Sequence, residues 1–147
     1  MKNKYLEIRI VKNRKELNDV LKIRETVFVK EQNCPWECEM DGLDDEAKHV
    51  IVKYKGKTIG CARVRLPGNR AKLERIALLK EYRGKGFGRE LMDYLIRYCR
   101  RKKVGEIFLH SQLYAKDFYK KCGFRSRGKT FSEAGIEHIE MYYEGLN

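Results

Sequence analysis

A chain of 147 residues with 42% hydrophobic and 11% aromatic content is long and apolar enough to bury a core without staples, which excludes a disordered or fibrous chain. Its formal charge of +12, from 33 Lys and Arg against 21 Asp and Glu, favours anionic partners such as a polyphosphate cofactor, nucleic acid or a membrane surface. Five scattered cysteines form no disulfide framework, Met1-Lys2-Asn3-Lys4 opens no signal-peptide pattern, and no apolar run is long enough for a membrane span, so reduced thiols in a cytoplasm are expected.

Residues 5–11 alternate Leu6, Ile8 and Ile10 with charges, the pattern of an edge strand. Asn13 followed by Glu16 predicts a capping box, opening a helix whose stripe runs through Leu17, Val20, Leu21, Ile23, Arg24 and Phe28 to about Gln32. Residues 33–48 read as a loop crowded with Glu37, Glu39, Asp41, Asp44, Asp45 and Glu46. Residues 49–55 and 58–66 form a hairpin around Lys55-Gly56-Lys57, and residues 71–79 follow as a third strand after Pro67-Gly68-Asn69-Arg70.

Next comes the loop Arg83-Gly84-Lys85-Gly86-Phe87-Gly88, opening a helix with Leu91, Met92, Leu95, Ile96 and Cys99 on one face. Glycines free of Cβ, followed by a helix N-terminus, make a phosphate site. The loop is no mononucleotide P-loop, because Arg89-Glu90 stand where a Lys-Ser or Lys-Thr pair is needed. Nor do glycines at 84, 86 and 88 match the dinucleotide spacing. Residues 106–110 predict a short buried strand, residues 113–121 a helix closed by Gly123, and residues 125–131 and 136–143 two strands around Ser132-Glu133-Ala134-Gly135. The order predicts an α/β domain over 1–147, with about seven strands in one mixed sheet and helices on both faces.

Arg83-x-x-Gly86-x-Gly88, placed after a strand and opening a helix, resembles the Q/R-x-x-G-x-G/A signature of the GCN5-related N-acetyltransferases (GNAT). Ala115, Phe118, Tyr119, Gly123 and Phe124 are similar to the A-x-x-F-Y-x-x-x-G-F helix of that family. Upstream, the run from Arg24 to Gln32 and Glu39-Met40-Asp41-Gly42 resemble a subgroup of small bacterial and archaeal members, so the likeness spans nearly the whole chain.

The resemblance implies acetyl-coenzyme A as cofactor, in a cleft between splayed strands. It puts the pyrophosphate on the amides of Arg83, Gly84, Lys85, Gly86, Phe87, Gly88 and Arg89, and the pantetheine on the main chain of Ile76, Ala77 and Leu78. Gln112 is a candidate partner for the pantetheine arm. Tyr119 matches the tyrosine facing the coenzyme sulfur, with ring packing as its plainer role. For the general base, Glu74 and His138 stand equal, each with a salt bridge or an ordinary hydrogen bond as its plainer role. Burial is expected to raise the Glu74 carboxyl towards a useful range, while imidazole is partly neutral at physiological pH without tuning. Gly135-Ile136-Glu137-His138 is similar to a G-I-P-H element of the subgroup, with Glu137 in place of proline. Glu31, Glu39 and Asp41 match subgroup elements and are candidates to wall an ammonium pocket, against the plainer reading of a solvated acidic loop. No metal site is expected, since Cys34 and Cys38 lack a second pair.

The expected activity is acetyl transfer to a small-molecule or peptide amine by direct attack in a ternary complex, with no membrane partner; the family often dimerises. Two rivals stand beside it: a non-catalytic acyl-coenzyme A sensor of the same fold, and a nucleic-acid module on residues 97–129, where eleven basic residues face only Glu106 and Asp117. The second lacks a reading helix or stacking platform.

Overall fold

Strand periodicity and two-residue turns organise the chain into one twisted sheet. The computed structural model describes residues 3–146; Met1, Lys2 and Asn147, the ends of the expected 1–147 unit, lie outside the described residues. Strand β1 (Leu6–Ile10) is followed by α1 (Arg14–Arg24), which runs on into a π-helical stretch (Glu25–Glu31), then by the short helix α2 (Trp36–Glu39). Strands β2 (Lys48–Tyr54), β3 (Lys57–Arg65) and β4 (Arg70–Leu78) precede α3 (Phe87–Arg101). Strand β5 (Glu106–Gln112), helix α4 (Lys116–Lys121), β6 (Phe124–Glu133) and β7 (Ile136–Tyr143) complete the order. The strands lie β1-β2-β3-β4-β5-β7-β6, antiparallel except for the β4–β5 pair. The predicted mixed sheet is therefore present, with seven strands.

Asn13 Oδ1 accepts from the Glu16 amide at 2.9 Å, so the predicted N-cap forms. Its reciprocal half does not: the Glu16 carboxylate turns instead to the Lys12 amide at 2.8 Å and to Arg9 at 2.6 Å. Lys55 and Gly56 both sit at positive φ and close the β2–β3 hairpin with Tyr54 opposite Lys57, the two-residue turn that follows strand twist. Ala134 and Gly135 do the same between β6 and β7, which lengthens those strands beyond the predicted turn at residues 132–135.

The two sheet faces are covered unequally. Helix α3 buries Leu91, Met92, Leu95 and Cys99 against Val50, Leu73, Ile107, Leu109 and Met141. Each such side chain withdrawn from water contributes about 1.5–3 kcal/mol. On the other face, Val20, Ile23 and Val27 pack on Ile51, Cys61 and Ala77, all towards the β2–β4 side of the sheet.

One irregularity positions everything else. Parallel pairing between β4 and β5 runs only from Arg70 opposite Glu106 to Leu73 opposite Leu109. Beyond it, the β3–β4 register jumps from Arg63 opposite Glu74 to Cys61 opposite Ala77, with Arg75 at φ 52°. The extra residue is a bulge, which bends β4 away from its parallel neighbour and opens the cleft. A left-handed arginine costs about 1–2 kcal/mol, and contacts to its guanidinium offset that: Glu39 Oε1 at 2.7 Å and the Glu39 carbonyl at 3.0 Å.

Candidate active site

At the mouth of the splay, Gly84 and Gly86 sit at φ 75° and 86°, a conformation that side chains resist. Gly86 caps α3 without a side chain, and its carbonyl accepts from the Glu90 amide, leaving the amides of Phe87, Gly88 and Arg89 at a 15-residue helix's positive end. A Cβ on Gly88 would stand 3.3 Å from Phe118 Cζ and 3.8 Å from Leu78 Cδ1, so the first turn of α3, α4 and the end of β4 converge there. A helix N-terminus with amides free in this way can receive an anion. Arg83 belongs to this corner, yet its guanidinium is forked onto Glu31 at 2.6 and 2.9 Å while its Nε donates to the Leu78 carbonyl. That contact holds the Glu31 carboxyl below its usual range and ties the glycine loop to the π-helical stretch.

Behind the corner lies a cleft of about 510 Å³ between β4, β5, α2 and the β6–β7 turn. It gathers Glu39, Asp41, Glu74, Ile76, Gln112, Tyr119 and His138, and adds His110, Glu133, Arg65 and Lys72, which the sequence did not single out. Glu31, Ala77, Leu78 and residues 83–89 do not line it and belong to its rim and to the glycine corner.

Tyr119 is wedged edge-on against Phe118 and Phe124, with ring centroids 5.1 and 6.2 Å away. Burial pushes its phenol well above the ordinary value, so it keeps an O–H that can be donated. Gln112 Nε2 donates to Gln32 Oε1 at 2.9 Å, joining the end of β5 to the end of the π-helical stretch.

The two candidate bases differ. Burial alone would lift the Glu74 carboxyl, as the sequence suggested, but Arg65 at 2.7 Å, with Arg63 and Lys72, outweighs it and holds the carboxyl below its usual range. Glu74 is thus the anion of a cationic cluster, and the expected upward shift does not occur. His138 is buried, and its Nδ1 lies 2.7 Å from the Ile136 carbonyl. A carbonyl can only accept, so Nδ1 carries a proton, and in the neutral ring the lone pair is at Nε2.

The expected ammonium wall changes character as well. Buried Glu39 is bound by Arg24 at 2.6 Å and lies 2.7 Å from Arg75 Nε. Asp41 is bound by Arg63 at 2.8 Å, a contact that holds its carboxyl far below its usual range. Glu31, Glu39 and Asp41 are therefore already paired with arginines and hold the wall together; the sequence could not show this because nothing local on the helix stripe at Arg24 or the strand at Arg63 marks a partner fifteen to twenty-two positions away. Within the basic stretch, Arg127 is bound to Glu106 and Glu140, and Arg125 to Glu144. Among the described residues, no three His, Cys, Asp or Glu side chains converge on a cation-sized site, and no helix is long and apolar enough to cross a membrane.

Comparison with known proteins gives the same outline. A family model described as an acetyltransferase (GNAT) domain matches residues 13–144. The chain is similar to the uncharacterized N-acetyltransferase YjcF of Bacillus subtilis (strain 168), at 41% identity over 133 residues, covering 90% of this chain and 95% of that one. An acyl-CoA N-acyltransferase from Pseudomonas aeruginosa superposes with a TM-score of 0.83 at 26% identity, over 94% of this chain and 99% of that one. A Bacillus subtilis acetyltransferase crystallised with CoA shares the fold, with a TM-score of 0.72 at 16% identity, over 94% of this chain and 97% of that one.

Proposed function

The chain belongs to the GNAT acetyltransferase family, and on that premise we propose that it transfers the acetyl group of acetyl-CoA to a primary amine of a small molecule or peptide by direct attack in a ternary complex. The reading treats residues 1–147 as one acetyltransferase domain working in the cytoplasm. The observation that carries it is the splay of β4 from β5, with a glycine corner at one end and Tyr119 and His138 lining the cleft behind it.

In this reading, the amides of residues 83–89 hold the pyrophosphate, where α3 supplies a fixed positive end without solvent reorganisation. The backbone of Ile76, Ala77 and Leu78, freed from β5, pairs with the pantetheine, and the Leu78 amide donates to the thioester oxygen. Gln112 reaches the pantetheine arm. His138 Nε2 takes a proton from the incoming ammonium, the neutral nitrogen attacks the carbonyl carbon, and the C–S bond breaks. Tyr119 donates a hydrogen bond to the leaving sulfur; its raised pKa suits it to stabilise a thiolate rather than to surrender its own proton. Between the two bases, the free lone pair on His138 and the threefold cationic contact on Glu74 favour His138.

The test is thiol release from acetyl-CoA, followed with a chromogenic disulfide reagent across a panel of primary amines. Release that depends on amine is expected. Release without amine, or none from a protein that binds acetyl-CoA and has been offered every amine class, would overturn the reaction and favour the sensor reading.

A further inference from the structure

His138 Nε2 and Glu133 Oε2 face each other 3.8 Å apart across a gap in the cleft. That is too far for a hydrogen bond, and in the tautomer fixed by the Ile136 carbonyl both atoms are acceptors. A nitrogen about 2.9 Å from each would donate to both. A group with at least two N–H bonds fits such a gap, and the Glu133 carboxylate favours one that carries a positive charge.

We propose that this gap is where the acceptor amine docks as its ammonium ion, one N–H donated to Glu133 Oε2 and one to His138 Nε2, with His110 as the positioning residue that holds Glu133 in place. This rests on the acetyl-transfer reading above and supplies the step before it.

The side chains around the gap are fixed from three strands. His110 on β5 sets Nδ1 3.1 Å from Glu133 Oε1, leaving Oε2 for the gap, and sets Nε2 3.2 Å from Glu140 Oε1. Glu140 is anchored in turn by Arg127 Nε at 2.6 Å. Phe131 meets the His110 ring edge-on at 4.9 Å and stacks near-parallel to the His138 ring at 6.0 Å, so one aromatic ring locks both imidazoles. The His110 contact keeps the Glu133 carboxyl below its usual range, and with it the negative charge at neutral pH. Unlike Glu39 and Asp41, Glu133 is bound by no arginine or lysine within ion-pair distance among the described residues.

The protons balance. Docked R–NH3+ passes one proton to His138 Nε2, the freed pair forms the C–N bond, and the thiolate leaves as the C–S bond breaks. The second surplus proton on nitrogen ends on that sulfur, giving the amide, free thiol and a protonated His138. A quaternary ammonium has no N–H to offer and is excluded.

The experiment is calorimetric titration of 1,4-diaminobutane, its neutral isostere 1,4-butanediol and tetramethylammonium into the CoA-saturated protein, for wild type, Glu133→Gln and His110→Gln. The diammonium is expected to bind wild type alone among the three probes, to lose at least tenfold in affinity with Glu133→Gln, and to lose less with His110→Gln, while CoA affinity is unchanged in all. In turnover, Glu133→Gln should raise KM for the amine at least tenfold and leave kcat within about threefold. Equal diammonium binding by wild type and Glu133→Gln, equal binding of the diol, no binding to wild type, or a fall in kcat at constant KM would each overturn the proposal. Diammonium binding without acetylation would leave the docking gap standing and remove the transfer reaction.

Discussion

Replacing Gly86 by Glu and by Gln separates what the glycine corner does through shape from what it does through charge. Gly86 sits at φ 86°, and a Cβ there would meet no atom within 4 Å, so both variants fold with the same conformational strain of about 1–2 kcal/mol. They differ by one negative charge beside the unpaired amides of α3. At about 5 Å from one phosphate charge, that charge costs about 0.8 kcal/mol if the site is as polar as water and about 3.3 kcal/mol at an effective dielectric constant near 20. The affinity of Gly86→Glu for acetyl-CoA should therefore fall ~4-fold to ~250-fold below that of Gly86→Gln. Calorimetric titration in 50 mM and 1 M salt reads the difference, and high salt should shrink it as the Debye length falls to about 3 Å. Equal affinities for the two variants at low salt would refute the placement of the pyrophosphate on this corner.

Three further outcomes follow from the cleft. Tyr119→Phe should leave acetyl-CoA affinity unchanged and lower kcat about 10- to 100-fold, the loss of one charge-assisted hydrogen bond to the leaving sulfur, checked by steady-state kinetics beside calorimetry. Glu74→Gln should behave as a packing mutation, because it strips the anion from Arg63, Arg65 and Lys72. We expect a loss of about 2–4 kcal/mol and a Tm fall of roughly 5–15 °C by scanning calorimetry, with kcat falling far less than in His138→Gln. Asp41 tests acid stability: its carboxyl is depressed by Arg63, so its stabilising effect is full above the unfolded value near ~3.9 and is lost as pH falls through the folded value. The Tm deficit of Asp41→Asn should thus be largest at neutral pH and shrink below about pH 4, and a deficit that grows on acidification would reverse the assignment.

The parts of the fold readable from sequence are those encoded by neighbours along the chain. Alternation gave the strands, the spacing of Leu91, Met92, Leu95 and Cys99 gave α3, and glycines at a strand–helix junction gave the positive-φ turn that opens it. The π-helical stretch at Glu25–Glu31 carries the same apolar stripe an α-helix would, so periodicity could not distinguish it. The bulge at Arg75 was equally hidden: nothing local marks an arginine for positive φ, and only the pairing of its guanidinium with Glu39 and Asp41, more than thirty positions away, makes that conformation tolerable.

The same distinction explains which site residues were missed. Gln112 and His138 were singled out because the family resemblance gives their positions a role, whereas it gives none to His110 and Glu133. His110 shares a strand face with Gln112 by simple alternation, and Gln112 lies opposite His138 in the β5–β7 register. Glu133 reaches that face because Phe131 pairs with His138 and Glu133 lies two residues on, held by a turn of only Ala134 and Gly135. Had the turn spanned the four residues the sequence suggested, the pairing of β6 with β7 would differ near the turn. A change of one position would flip Glu133 to the opposite face, away from both histidines. The docking gap is thus a consequence of register, and register is fixed by the length of a turn that chain-order reading placed two residues too wide.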